Sequence, residues 1–519
     1  MRRHNEGMVG LLVWIVLGPT LPPVPLATGT VFEDLDRDGV RDVGEPGVRG
    51  VRVSNGVQIV TTDRDGVWRL PYDEDTIFFV IKPSNWMTPV DENNLPRFYR
   101  IHKPGGSPRF RYDGVAPTGP LPSSIDFPLY RRPESERFAV LLLGDTQTRD
   151  VTEIGYLRRD ILDHLVGADA LFGITLGDLV FDDLDMHGPY KAAMGSVGIP
   201  WYNVLGNHDM NYEAERDEHS DETFERHFGP STYAFDVAQV HFIVLDDVTY
   251  PVVAGGRRTY VGGLREDQFR FLEADLRGVP PDRLVVVAMH IPIPSLREED
   301  RRRLLGLLSK RPLSFSVSAH THTQEHVFLG AQDGFSGPTL HHHLISGTAC
   351  GSWWQGSPDE RGIPHTTMRD GAPNGWSLLR FDGNRYAISF YPASRPTTWQ
   401  MNVQVPDRVK KGEEDWNVFF VNVFAGSERS LVRFRVDRQG EWREMKRVQR
   451  PDPWYVALYE RDRGLSTPYR PLPAPVDSTH LWEGALPVSL ARGEHVLEVE
   501  TKDMFGKVYR AFRSFTIED

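Results

Sequence analysis

Val204-Leu-Gly-Asn-His-Asp-Met210 decides the reading of this chain. A hydrophobic run leads into Gly206, and Asn207, His208 and Asp209 follow without a break. The pattern predicts a buried strand ending in a tight turn. Three polar side chains are then presented at the strand's C-terminal end, where ligands bind in open α/β sheets. An Asn amide oxygen can ligate a metal, a His can be ligand or acid, and an Asp can orient the His.

Neighbouring segments repeat the pattern. Phe138–Leu143 runs into Gly144-Asp145-Thr146-Gln147, and Ala170–Leu176 into Gly177-Asp178. Val240–Leu245 ends in Asp246-Asp247, Leu284–Met289 in His290, and Leu313–Ala319 in His320-Thr321-His322. Amphipathic stretches such as Ile154–Val166 and Glu266–Leu276 lie between them. Near-unbroken apolar strands alternating with helices predict a layered α/β domain. A lone His at a strand end is usually a structural cap. Metal-capable residues at strand after strand along one edge are not, because carboxylates and imidazoles buried together are costly without a cation. No Gly-x-Ser-x-Gly elbow and no Walker-type phosphate loop offers a competing chemistry.

These motifs, Asp145-x-Gln147, Gly177-Asp178, Gly206-Asn207-His208-Asp209, His290 and His320-x-His322, resemble those of the calcineurin-like metallophosphoesterases in order and spacing. The chain is similar in particular to the exported branch with dedicated N- and C-terminal β domains, through Phe224–Asp246, Gly351–Trp354 and Asp370–Gly375. The resemblance implies a β-sandwich flanked by helices and two divalent or trivalent metal ions, Mn, Fe or Zn. Asp145, Gln147 and His322 would hold the first ion, Asn207, His290 and His320 the second, and Asp178 would bridge them. His208 would be the general acid or transition-state donor, with Asp209 as its orienting partner. Two cations so held activate hydroxide and clamp a phosphoryl group for in-line attack. Three positions depart from the family pattern. Gln147 stands where His is commonest, Ala319 replaces the usual Gly, and Phe181 stands where many relatives carry Asp, with Asp182 and Asp183 just after it.

On either side of this domain, assigned to residues 137–393, the pattern is all β. In residues 28–130, short alternating segments such as Val51–Ser54, Val67–Leu70 and Ile77–Ile81 predict an antiparallel sandwich. Within it, Asp34, Asp36, Asp38, Asp42 and Glu45 take positions 1, 3, 5, 9 and 12 of a twelve-residue loop with Gly39 at position 6. That is calcium-loop spacing, here flanked by strands, and it resembles the B-type repeats of bacterial surface proteins and other prealbumin-like domains. A solvated Asp/Gly turn is the equal alternative. Residues 398–519 predict a second sandwich, whose aromatics, Trp416, Trp442, Trp454, Tyr455 and Trp482, are better read as core than as a glycan site.

The N-terminus has signal-peptide form over residues 1–27: Arg2 and Arg3, an apolar run Met8–Leu17, then small residues to Ala27. That run is too short to span a bilayer and no later stretch is long enough, so the mature chain is expected to have no membrane span and to be secreted or periplasmic. The 519 residues carry 59 Lys+Arg against 72 Asp+Glu, a net charge of −13, which argues against a nucleic-acid surface. The single cysteine, Cys350, excludes an intramolecular disulfide and reads as a packed residue rather than a nucleophile.

Three weaker features stay open. One of His341, His342 and His343 faces the metal cleft, or the three are packed. Trp353 and Trp354 form an aromatic wall for lipid, sugar or base, or pack between domains. Asp370–Gly375 is a turn at the pocket's edge. The expected function is hydrolysis of phosphate esters, with lipid headgroups, phosphoglycans or nucleotides as substrates suggested by the location alone. The alternative is a non-catalytic surface or glycan-binding protein with a decayed or structural metal centre.

Overall fold

A computed structural model of the chain describes residues 25–412, 415–465 and 469–518. Residues 1–24, which hold most of the expected leader, lie outside the described residues. The first strand, Leu26–Glu33, starts within the last two positions assigned to that leader, and Ala27 is already buried opposite Leu70.

The central domain is built from two sheets. One is five-stranded, in the order Trp201–Asn203, Phe172–Thr175, Arg137–Leu143, Gly375–Asp382, Arg385–Pro392. Its first three strands are parallel and its last two antiparallel. The other is six-stranded, in the order Tyr233–Val237, Val240–Val244, Leu284–Ala288, Ser314–Ser318, His341–Ile345, Glu325–Leu329, parallel in the middle with an antiparallel strand at each edge. Every residue of Leu284–Ala288 and Val240–Val244 is buried, as strands covered on both faces require. The sheets meet through rings: Phe172 packs edge-on against Phe235 and Phe242, and Phe242 against Phe381. At one end the sheets join directly, where Gly144 and Thr348 form a parallel bridge. The parallel strands of both sheets therefore deliver their C-terminal ends to one place.

Helices cover the outer faces. Val151–Asp160 begins where the Asp150 carboxylate accepts from the amides of Thr152 and Glu153. It stops at Asp160, short of the expected Val166, and a 3-10 turn, Leu162–His164, follows. Glu266–Gly278 packs Phe269, Phe271 and Leu272 inward.

The flanking domains are sandwiches. The N-terminal one pairs a sheet ordered Val67–Pro71, Leu26–Glu33, Phe127–Arg131, Trp86–Met87 with a sheet ordered Ile59–Thr61, Arg52–Ser54, Thr76–Ile81, Tyr99–His102. Trp68 lies between Phe78 and Phe127 at its centre. The C-terminal one has four- and five-stranded sheets over residues 401–518; of the five aromatics expected as core, Trp482 and Tyr455 are buried, whereas Trp416, Trp442 and Trp454 are half-buried. It also holds a helix absent from the sequence reading, Pro453–Arg463, started by Pro453 and by Asp452, whose carboxylate accepts from the Tyr455 amide. Among the described residues no helix is long and apolar enough to cross a membrane.

Candidate metal centre

The seven residues expected as ligands come from five different strand ends and are brought together. Asp145, Gln147, Asp178, Asn207, His290 and His322 are buried, and His320 is half-buried. Five of them, Asp145, Gln147, Asp178, His320 and His322, sit at positive φ, between 21° and 70°. Left-handed backbone costs a non-Gly residue about 1–2 kcal/mol. Strain of that kind, repeated at one site, marks function rather than folding. The left-handed turn falls on His320 and His322 and not on Ala319, so the methyl group in place of the usual Gly is accommodated.

Hydrogen bonds close the arrangement only if His290 carries a second proton and Asp145 keeps its own. His290 donates from Nδ1 to the Leu176 carbonyl at 2.8 Å, so the neutral ring carries a lone pair on Nε2. That lone pair faces Asn207 Oδ1 at 3.0 Å, Asp178 Oδ1 at 3.3 Å and His320 Nδ1 at 3.1 Å. Similarly, His322 donates from Nδ1 to the Gly351 carbonyl, and its Nε2 faces Asp145 Oδ2 at 3.1 Å, an oxygen with no hydrogen-bond partner. Imidazole nitrogens with carboxylate and amide oxygens converging over such distances are the donor set of a cation, with each imidazole oriented by a backbone carbonyl behind it. Asp178, His290 and His320 each offer a ligand atom within 4.8 Å of the others. The residues present therefore fit metal ions. As placed, Gln147 turns its Nε2 toward Asp178 Oδ2 at 3.3 Å, and a half-turn of the amide puts Oε1 in the same position.

With protons alone the cluster is electrostatically divided. Burial pushes the Asp145 carboxyl up to about 7. Burial also works to raise Asp178, but His290 and His208 outweigh it and hold that carboxyl well below its usual range. On His290 burial is outweighed by Asp178 and the ring is pushed up to about 10, whereas burial takes His320 down to about 4 and His322 to about 3.

His208 is half-buried at the rim. Its Nδ1 lies 2.7 Å from Asp182 Oδ1, its amide donates to Asp178 Oδ1, and its ring stacks on Phe181 at 4.4 Å. Burial lowers its pKa, but Asp178 and Asp182 outweigh burial and raise it. The orienting role expected at Asp209 thus falls to Asp182. The Asp209 carboxylate instead accepts from the amides of Gly206, Leu179 and Val180 and meets His187 at 3.3 Å, which ties the Asn207 turn to the Asp178 turn. Phe181, which stands where many relatives carry Asp, covers the face of His208.

Other features resolve as follows. His341, His342 and His343 are packed, bonded to Ser314, Ser316, Ser318 and Tyr386, and burial lowers all three. Trp354 is buried with Nε1 donating to the Thr146 carbonyl, while Trp353 is half-buried and stacks on His322 at 3.9 Å. Asp370 is turned away from the site, bonded to the Gln324 amide and to His480 of the C-terminal domain. Cys350 is a buried thiol whose pKa burial raises, and its Sγ lies 3.7 Å from Gln147 Oε1. Sequence reasoning missed Arg149, Tyr212 and Asp247. Tyr212 donates to the Asn207 carbonyl at 2.6 Å, and Asp247 accepts from the His290 and Ile291 amides. Asp247 was visible only as a second acid after a strand, and Arg149 only as a neighbour of Gln147.

In the N-terminal loop, Asp34, Asp36 and Glu45 form one close group and Asp36, Asp38 and Asp42 another. The loop also satisfies itself in part: Asp34 accepts from the amides of Arg37 and Gly39, and Glu45 from those of Leu35 and Asp42. A separate cavity of about 1080 Å³ lies between the N-terminal and central domains, lined by Asp75, Asp221, Glu225 and Arg265, and is distinct from the metal cluster.

Three family models match the chain. One is described as the N terminal of calcineurin-like phosphoesterase, over residues 36–113, one as calcineurin-like phosphoesterase, over 132–324, and one as the C terminal of calcineurin-like phosphoesterase, over 343–509. No curated protein matches. Among solved structures, a purple acid phosphatase isolated from yellow lupin (Lupinus luteus) seeds is similar at 10% identity with a TM-score of 0.36. The match covers 71% of this chain and 66% of that one, just under two thirds of its length.

Proposed function

This chain belongs to the calcineurin-like phosphoesterases, and on that premise we propose that it is an exported, metal-dependent hydrolase of phosphate esters. The observation that carries the reading is the convergence of metal-capable atoms: His290 Nε2 against Asn207, Asp178 and His320, and His322 Nε2 against Asp145. Asp145, Gln147 and His322 would hold one ion, Asn207, His290 and His320 a second, with Asp178 shared. Imidazole and oxygen donors suit Mn, Fe or Zn. Two cations in such a site supply Lewis acidity toward a phosphoryl group and make water acidic enough to serve as nucleophile.

The chain's own groups supply the rest. Asp182 accepts from His208 Nδ1–H and, with Asp178, favours the doubly protonated ring, whose Nε2–H would pass to the departing ester oxygen and leave a neutral imidazole. The Asp209 carboxylate fixes the two turns that carry Asp178 and Asn207. The leader-like N-terminus favours extracellular substrates: lipid headgroups, phosphoglycans or nucleotides.

The test is the initial hydrolysis rate of an aryl phosphate diester and the matching monoester, with Mn supplied, for wild type and Asp178→Asn. The reading expects a fall of about 100-fold or more in the variant, and the diester-to-monoester ratio assigns the substrate type. Equal rates for both proteins would remove the enzyme and leave a surface- or glycan-binding protein. For the loop Asp34–Glu45 we propose calcium, on its carboxylate spacing. Calcium then raises the melting temperature of wild type but not of Asp36→Asn, and an equal response in both would make the loop a solvated turn.

A further inference from the structure

The loop that follows strand His341–Ile345 carries two consecutive tryptophans in left-handed backbone, Trp353 at φ 57° and Trp354 at φ 52°. Such a pair is held only where its surroundings over-determine it. Here they do. Trp354 is buried with Nε1 on the Thr146 carbonyl at 3.0 Å, Ser352 Oγ donates to the Thr367 carbonyl at 2.7 Å, and the Gly351 carbonyl accepts from His322. The outcome is the placement of Trp353. One face of its indole lies on the His322 ring at 3.9 Å, and the side chain stays partly in solvent instead of joining the core as Trp354 does.

Arg149 extends this surface. Its Nη1 donates to the Trp353 carbonyl at 3.1 Å, and its guanidinium lies 3.8 Å from the centre of the Phe181 ring, whose stacking partner is His208. Trp353, Arg149 and Phe181 are thus linked in a run from His322 to His208, through the Trp353 carbonyl and the Phe181 ring, with Glu153 3.6 Å from the guanidinium. An aromatic face with a guanidinium beside it complements a flat or ring-shaped group carrying a phosphate, and offers little to a flexible chain.

We propose that Trp353 is the stacking platform for the leaving group, so that the esters hydrolysed are those of ring-bearing alcohols rather than of acyl-glycerol lipids. The proposal rests on the phosphoesterase reading above. It is tested with three methyl phosphodiesters whose leaving groups are a nucleoside, a pyranoside and n-butanol, on wild type, Trp353→Leu and Trp353→Phe. The expected result is a fall of about tenfold in kcat/KM for ring esters relative to the butyl ester in Trp353→Leu, carried by KM and largely restored in Trp353→Phe. Loss confined to the nucleoside assigns a base, and loss confined to the pyranoside assigns a sugar. Metal content measured alongside shows whether the His322 site is intact. Calorimetric binding of phenylphosphonate and n-butylphosphonate to wild type supplies a readout that needs no turnover and no variant, with tighter binding of the phenyl compound expected. An unchanged ester ratio in a metal-replete Trp353→Leu protein, or equal binding of the two phosphonates, overturns the proposal. Absence of hydrolysis by wild type would count against the phosphoesterase reading instead.

Discussion

His208 and Asp182 are 2.7 Å apart, and neither can do the other's work. In the proposed reaction the imidazolium would give up its Nε2 proton, and the carboxylate would keep the other proton on Nδ1. Replacing Asp182 by Ala should therefore lower kcat by about 10-fold to 100-fold with little change in KM or metal content. The loss should be larger for esters of poor leaving groups, and rates across a series of substituted phenols will measure it. A loss independent of leaving group would detach Asp182 from proton transfer. At this scale the convergence of the seven candidate ligands was legible, because each follows an apolar strand. Asp182 was legible only as one of two acids, with Asp183, that could take the place of the missing carboxylate, because its own left-handed backbone, φ 59°, sets its direction and sequence spacing carries no such angle. Asp209 was misread for a related reason. Adjacency to His208 suggested a partner, but the turn points its carboxylate at three backbone amides.

The strand-end turns are the elements on which the site depends. A Cβ added at Gly206 would lie 2.0 Å from the Asp178 amide nitrogen and 2.3 Å from Asp178 Oδ1. One at Gly177, φ 86°, would lie 2.5 Å from His290 Nδ1. Gly206→Ala should displace the Asp178 turn, lower bound metal and cost about 1–3 kcal/mol of stability, read by elemental analysis and by denaturant midpoint. A variant with full metal content would show that the turn relaxes without moving Asp178. The parallel strands were readable because burial on both faces makes them unbroken apolar runs. The helix Pro453–Arg463 was not, since its residues show no clear apolar stripe and only Tyr455 and Asp462 are buried. Its signal was local, Asp452-Pro453 at the start, a cap and first turn.

Across the whole molecule, the flanking domains are docked by charge as well as by apolar surface. Lys82 of the N-terminal domain and Glu134, the residue pair beside the domain boundary, are 4% and 6% exposed and 2.8 Å apart. Glu134→Gln leaves the ammonium unpaired and should cost about 3–5 kcal/mol, measured as a fall in denaturant midpoint. No change would mean that water reaches Lys82. Arg52 reaches Asp275 at 2.9 Å and Asp236 at 3.7 Å in the central domain. Burial works to raise Asp236, but the hydrogen bond and charge of His241, with Arg52 and Arg283, hold its carboxyl well below the usual range. Its folded pKa is lower than its unfolded one, so its contribution is present above about pH 4 and is lost as pH falls further. Wild type should accordingly lose more stability between about pH 5 and about pH 3 than Asp236→Asn does. Parallel slopes would exclude the contact from acid unfolding. None of these contacts was legible in the sequence, because they join residues far apart in the chain, whereas the three-part organisation followed from the change in strand and helix pattern.

The central claim is that the converging donors hold two metal ions that the reaction needs. Its most direct test is the Mn, Fe and Zn content of the purified protein, with turnover of an aryl phosphate ester followed through chelation and Mn return. The account predicts about two ions per chain, loss of turnover with their removal, recovery with Mn, and a protein that retains at most one ion after Asp178→Asn. Undiminished turnover in metal-stripped protein would contradict it.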